Sequence, residues 1–329
     1  MNNEEFIRFC YQTILGRDVN FDDEGYYLKN IRDESDRLNI VFEFLDSDEF
    51  KKRVKPLEFV PYGHYYSALP SLADREEFLK SNHMVDSIPG IAIHADKQFD
   101  LLQKFKIYHD ECPFPDHQNP DFSFYFKNDS FGYSDALTLY SMIREFEPSR
   151  IIEVGSGMSS CVMNDTNEIH FNGDINLTFI DPNSDYVESL LGPKVNSSRI
   201  ISKRVQDVDM SLFSELQKND ILFIDSTHVS KLNSDVNKLF FEIIPILNPG
   251  VLIHFHDVFW PFEYPSSWVE ECRAWNESYV LRAFLQYNSS FEVLFFSNYL
   301  HMFHGSWIEK NLPLYRREIG GNIWIKSIN

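Results

Sequence analysis

Between residues 150 and 257 the chain repeats one pattern: a short run of β-branched and apolar residues that closes on an acid or on glycine. The first run is Arg150-Ile151-Ile152-Glu153-Val154, followed by Gly155-Ser156-Gly157. Residues 177–180 end at Asp181, residues 221–224 end at Asp225, and a run opening at Val251 ends near His256-Asp257. Ile200-Ile201 makes a weaker run between the second and the fourth. Helical spacing fills the gaps. Ala136, Leu139, Tyr140 and Ile143 share one helix face, and Leu239, Phe240, Ile243 and Ile244 share another that Pro249-Gly250 stops. Strands alternating with helices predict a doubly wound, mostly parallel sheet of the α/β class. Residues 291–295 and 322–325 predict a closing pair of strands.

The first 55 residues follow a different pattern. Phe6, Phe9, Cys10 and Ile14 fall on one helical face, with Gly16 where a C-cap glycine belongs. A second helix carries Tyr26, Tyr27 and Ile31, and a third brings Leu38, Val41, Phe42 and Leu45 together. Ser47-Asp48-Glu49 reads as a fresh helix start. A basic, proline-punctuated stretch from Lys51 through Pro56 to Pro61 marks a boundary. The expected organisation is a helical module over 1–55, a cleft-covering extension over 56–130, and a catalytic domain over 131–329.

Composition narrows the partners. A net charge of −20 opposes phosphate backbones and anionic membranes, so neither nucleic acid nor a membrane surface is expected as a partner. The four cysteines, Cys10, Cys112, Cys161 and Cys272, have no C-x-x-C spacing, which signals neither zinc nor a disulfide framework. The start at Met1 lacks the basic and apolar segments of a secretion signal, and the expected location is cytoplasmic.

Ligands bind at the carboxyl ends of strands in such sheets. The Glu153-Val154-Gly155-Ser156-Gly157 turn lets the backbone approach a cofactor, but Ser160 stands where a dinucleotide fingerprint has its third small residue. Nicotinamide enzymes do not need the acid at position 153, whereas a carboxylate there can anchor the ammonium end of S-adenosylmethionine. Asp181 can accept the ribose hydroxyls of either cofactor or cap the next helix, and Gln206-Asp207 would reach the adenine.

Residues from about 120 to 305 resemble class I methyltransferases with a Rossmann-like sheet, from a bacterial subgroup associated with polysaccharide and natural-product clusters. The resemblance rests on residues 151–157, on 223–230 (F-I-D-S-T-H-V-S), on 254–261 (H-F-H-D-V-F-W-P) and on 273–277 (R-A-W-N-E). It implies cofactor binding by Glu153, Gly155, Ser156, Gly157, Asp181, Gln206 and Asp207. Residues 1–55 resemble a helical domain of unknown function, through Tyr11, Leu15-Gly16-Arg17, Gly25-Tyr26-Tyr27 and Ser47-Asp48-Glu49-Phe50. That domain occurs in bacterial surface-glycan and secreted proteins, which implies a glycan context and no particular chemistry; the module is also where a protein partner is expected to dock.

Asp225 and Asp257 end adjacent strands and can converge on Mg²⁺, as in the metal-dependent O-methyltransferases that this layout resembles. His256 before Asp257 departs from their usual acidic or amide pair. His228, three residues after Asp225, is expected to be a near-neutral imidazole serving as general base, with His256 as a second base or ligand. The aromatic run from Phe259 to Trp268, with Trp275, reads equally as a sugar-stacking surface or a packed lid. Arg273 and Arg282 read as anion ligands or as surface partners of Glu270 and Glu277. The reading is methyl transfer from S-adenosylmethionine to a sugar hydroxyl of a surface glycan or glycosylated product. The rivals are a silent glycan-pathway scaffold and a nicotinamide-dependent sugar oxidoreductase or epimerase. The latter is opposed by Leu190 standing where a Tyr-x-x-x-Lys pair starting at Tyr186 would need lysine.

Overall fold

The apolar runs form the sheet, as their composition dictates. The structure, a computed structural model, describes residues 1–53, 59–81, 84–192 and 198–329. Its strands are β1 (Arg150–Val154), β2 (Asn176–Ile180), β3 (Ser198–Ile201), β4 (Ile221–Ile224), β5 (Leu252–His256), β6 (Phe291–Phe296) and β7 (Asn322–Ser327). They lie in one sheet in the order β3-β2-β1-β4-β5-β7-β6. The first five run parallel, and β7 inserts antiparallel between β5 and β6. β4 is buried on all four residues, which is why it reads as an unbroken apolar run rather than an alternation.

The chain divides into two compact units, Met1–Asp74 and Arg75–Asn329. Pro56, at the boundary read from sequence, lies outside the described residues. The first unit contains α1 (Asn3–Cys10), a π turn (Tyr11–Leu15), α2 (Phe21–Asn30), α3 (Glu34–Asp46) and α4 (Asp48–Arg53). Its core is Phe6, Ile7, Cys10, Tyr11, Leu15, Ile40 and Phe44. Two expected faces are displaced. Phe9 is exposed, and on α3 Ile40 and Phe44 point inward while Leu38, Phe42 and Leu45 stay at the surface. Apolar residues occupy more than one face of α3, so spacing alone does not choose between them; the aromatic partners Tyr11 and Tyr27 do, at 4.9 and 5.1 Å from Phe44. The Leu15-Gly16-Arg17 signature also has a local cause. Gly16 turns the chain at φ +69°, and a side chain there would strike the Arg53 guanidinium, which caps the carbonyls of Thr13 and Ile14. Arg17 pairs with Glu49 and lies 4.8 Å over Tyr11.

A helix α5 (Leu72–Lys80) precedes the second unit's main body. There α6 (Ala95–Asp110), α7 (Tyr133–Phe146), α8 (Met158–Phe171), α9 (Asp185–Leu191), α10 (Ser211–Ser214), α11 (Asp235–Lys238), α12 (Ser266–Glu270), α13 (Glu277–Leu285) and α14 (Ser297–Asn311) accompany the sheet. Ala136, Leu139, Tyr140 and Ile143 of α7 are wholly buried, as their spacing predicts. The proline-rich stretch before residue 131 joins this core through Leu101, Leu102, Phe105, Phe114, Phe124 and Phe126. Asp165 of α8 ties it down by accepting the Ser123 and Phe124 amides at 2.7 and 2.8 Å. Among the described residues, no helix is long and apolar enough to cross a membrane.

Candidate active site

The strand order reverses direction between β1 and β4, and the chain departs from both at this point. Open parallel sheets bind ligands in the crevice at such a switch. Here the two loops nearly touch. Gly155 adopts φ +83°, and a Cβ on it would lie 1.9 Å from the Asp225 carbonyl oxygen, so the fold itself demands this glycine. Gly157 is different. A Cβ there meets only the Tyr186 ring, at 3.6 Å. Nothing in the protein's own packing excludes a side chain at 157.

Glu153 is completely buried beneath this turn. Its two oxygens accept the hydroxyls of Ser159, at 2.5 Å, and Ser160. Burial raises its carboxyl to about 8, against the partial relief given by those hydroxyls. The Ser160 hydroxyl also accepts the Gly157 amide at 3.1 Å. Glu153 thus fixes the turn from below through Ser159, which the sequence did not single out, and Ser160, which it marked only as the third position of a dinucleotide fingerprint.

Asp181, at the end of β2, accepts the Ser156 amide at 3.1 Å and the Asn183 amide at 2.7 Å. It binds the β1 turn to the β2 turn across the crevice. Gln206 and Asp207 form a short 3₁₀ turn after β3. Gln206 donates to the Asn233 carbonyl at 3.0 Å. Asp207 is exposed and held by Arg204, whose hydrogen bond keeps its carboxyl below the ordinary range.

The ends of β4 and β5 bring Asp225, His228 and Asp257 together. One donor atom from each lies within 4.8 Å of the others. His228 Nε2 stands 3.3 Å from Asp225 Oδ1 and 3.4 Å from Asp257 Oδ2. Its other nitrogen, Nδ1, lies 2.9 Å from Glu277 Oε2. Glu277 also accepts the Ser226 hydroxyl at 2.8 Å, and that hydroxyl accepts the His228 amide. His228 and Asp257 both hold left-handed backbone, φ +59° and +58°, a conformation L-residues other than glycine rarely adopt. Burial disfavours charge on His228, but Asp225 and Glu277 outweigh it and raise the imidazole to about 10. This is not the near-neutral histidine expected from a lone residue beside one acid.

Burial pushes the Asp225 carboxyl up, but the neighbouring imidazoles of His256 and His228 hold it below the usual carboxylate range. Asp257 is raised, chiefly by burial. His256 is buried with Nε2 3.7 Å from Asp257 Oδ1, and its Nδ1 has no partner among the described residues. Burial opposes its charge, yet Asp257, Asp225 and Asp135 raise it.

Glu277, one of the two acids that the sequence offered as surface partners of Arg273 and Arg282, does not lie at the surface. It is buried in the first turn of α13. Arg273 instead pairs with Glu271 at 2.7 Å and lies 4.4 Å over Trp268 and 5.2 Å over Trp275. Trp275 packs 4.3 Å from the His228 ring. Trp260 is packed structure, its indole donating to the Val85 carbonyl.

Comparisons with known proteins place the two parts of the chain among families. Residues 152–258 match the family model of a methyltransferase domain, and residues 1–54 match a domain of unknown function, DUF4214. An uncharacterized protein of Archaeoglobus fulgidus is 32% identical over 167 residues, covering 49% of this chain and 75% of that protein. Among solved structures, the O-methyltransferase TomG from Streptomyces achromogenes, involved in tomaymycin synthesis and bound to S-adenosylmethionine, is 14% identical with a TM-score of 0.37. That match covers 78% of this chain and 96% of TomG. The methyltransferase PaMTH1 of Podospora anserina, bound to S-adenosylhomocysteine, is 14% identical at 0.35, covering 83% and 99%. The chain belongs to the family of the archaeal protein, and its Rossmann-like unit carries a methyltransferase domain.

Proposed function

We propose that this enzyme transfers the methyl group to a hydroxyl oxygen, most simply that of a sugar in a surface glycan or glycosylated product. The observation that carries the reading is the juxtaposition of an open glycine turn at the switch point with the Asp225–His228–Asp257 cluster on the next two strands. The cofactor lies over Gly155 to Gly157, with its ribose against Asp181 and its adenine toward the 205–207 turn. Glu153 serves that site from beneath, by holding the turn. The acceptor oxygen faces the acid cluster, in line with the sulfonium. Fixing two reactants in that alignment can supply roughly 7–11 kcal/mol of a barrier. An acceptor with neighbouring hydroxyls suits two carboxylates on adjacent strand ends, and the glycan context of the helical module points the same way.

The donor set of the cluster also fits a divalent ion, with Asp225 and Asp257 as ligands; bound there, the ion would lower the pKa of a coordinating hydroxyl. Asp225 and Asp257 orient the acceptor from two sides. The hydroxyl proton passes to Asp257, the one of the two carboxyls that stands above the usual carboxylate range, chiefly through burial.

Calorimetric titration of S-adenosylmethionine into the purified protein tests the reading. Micromolar binding is expected, at least tenfold weaker in Asp181→Ala and in Gly157→Ala, the latter with its melting midpoint unchanged. Turnover is then sought by release of S-adenosylhomocysteine over a panel of sugar acceptors. Absence of binding by folded protein stripped of bound cofactor would remove this assignment.

A further inference from the structure

We infer that His228 is itself a ligand at the divalent-ion position, completing a two-carboxylate, one-imidazole set with Asp225 and Asp257 that selects a first-row transition ion over Mg²⁺. This rests on the acid-pair reading given above, and it takes His228 out of the role of general base.

Three observations carry it. First, His228 Nε2 faces two carboxylates at once, 3.3 Å from Asp225 Oδ1 and 3.4 Å from Asp257 Oδ2. Donors each about 2.1 Å from one shared ion stand roughly 3.0–3.4 Å apart at octahedral or tetrahedral angles. The imidazole therefore meets the acids at the spacing of co-ligands.

Second, the far side of the ring is built for ligation. A metal-bound histidine donates its other N–H to a carboxylate, which fixes the tautomer and turns the free lone pair toward the ion. Glu277 does this at 2.9 Å from within the core, and its second oxygen takes the Ser226 hydroxyl that in turn holds the His228 backbone. The amides of Asn276 and Glu277 both donate to the His228 carbonyl, at 3.0 and 3.1 Å. Glu277 is a positioning residue: side chain and backbone of His228 are both set from the start of α13.

Third, the set joins one imidazole nitrogen to two carboxylate oxygens. An imidazole in place of a third oxygen moves the preference from Mg²⁺ toward Mn²⁺, Co²⁺ or Zn²⁺.

The test is Mn²⁺ binding to the full-length, chelator-stripped protein, read from the paramagnetic resonance signal of the free aqueous ion. One Mn²⁺ per chain is expected, displaced by Mg²⁺ only at more than about 100-fold excess. Asp225→Asn and His228→Ala should each weaken binding at least 100-fold. Glu277→Gln should weaken it about 10- to 100-fold, the range seen when a partner behind a ligand is lost. Circular dichroism establishes that each variant is folded, and Glu277→Gln alone carries the test if His228→Ala is not. If His228→Ala and Glu277→Gln bind Mn²⁺ like the parent while Asp225→Asn does not, the ligand role of His228 falls and the acid-pair site stands. If the parent binds neither Mn²⁺, Co²⁺ nor Zn²⁺, the inference falls together with the metal site. Displacement by equimolar Mg²⁺ would overturn the selectivity.

Discussion

At the residue scale, Glu153 has the sharpest consequence. Its carboxyl is raised by burial to about 8, against an ordinary 4.5. The folded chain therefore keeps a proton at pH values where the unfolded chain has lost it. The stability tied to that proton is complete below about 4.5 and is lost as pH rises through about 8. Glu153→Gln removes the group that titrates while keeping its shape. The expected outcome is that the parent's melting midpoint falls relative to Glu153→Gln between pH 5 and pH 9, measured by differential scanning calorimetry. Parallel curves for the two proteins would show that Glu153 ionises in the folded state as it does in the unfolded one. The presence of the acid is visible in the sequence. Its saturation by Ser159 and Ser160 is not, because that depends on helix α8 starting within the same turn.

At the scale of elements, the strands were legible because fully buried parallel strands leave runs of β-branched and aromatic residues with an abrupt polar end. The site at their ends was legible for the same reason: Asp181, Asp225 and Asp257 stand where those runs stop. Glu277 was hidden, since α13 arrives at the β4 loop from more than forty residues downstream, a juxtaposition set by topology and not by spacing. Helix faces were less legible than strands. Apolar residues at 38, 40, 41, 42, 44 and 45 of α3 satisfy more than one helical stripe. The structure buries Phe44, at 2% exposure, and leaves Phe42 at 65%. Phe44→Ala should then cost the helical module about 3–5 kcal/mol, the usual loss for a buried phenylalanine. Phe42→Ser should change its stability by no more than about 0.5 kcal/mol. Chemical denaturation of a peptide spanning residues 1–74 separates the two, and equal costs would mean that α3 is rotated from the position described.

At the scale of the whole molecule, the described residues form two apolar cores with no residue in common. One is drawn from Phe6 to Phe44, the other from Ile88 to Ile325. Each closes on its own elements, so each has the means to fold independently. All groups assigned to the cofactor, the acceptor and the ion belong to the second unit. The net charge of −20 is spread over both units and does not bind them to one function. A chain beginning at Pro70 keeps Ser71 and Asp74, whose mutual hydrogen bonds start helix α5, and keeps the complete sheet. That shortened protein is expected to bind S-adenosylmethionine within about twofold of the full chain and to melt at the same temperature as its catalytic transition. Full-length protein should show a second, separate transition for the helical module. A shortened chain that is folded but has lost cofactor affinity would mean that residues before Pro70 contribute to the cofactor site, and the division of labour argued from the two cores would be wrong.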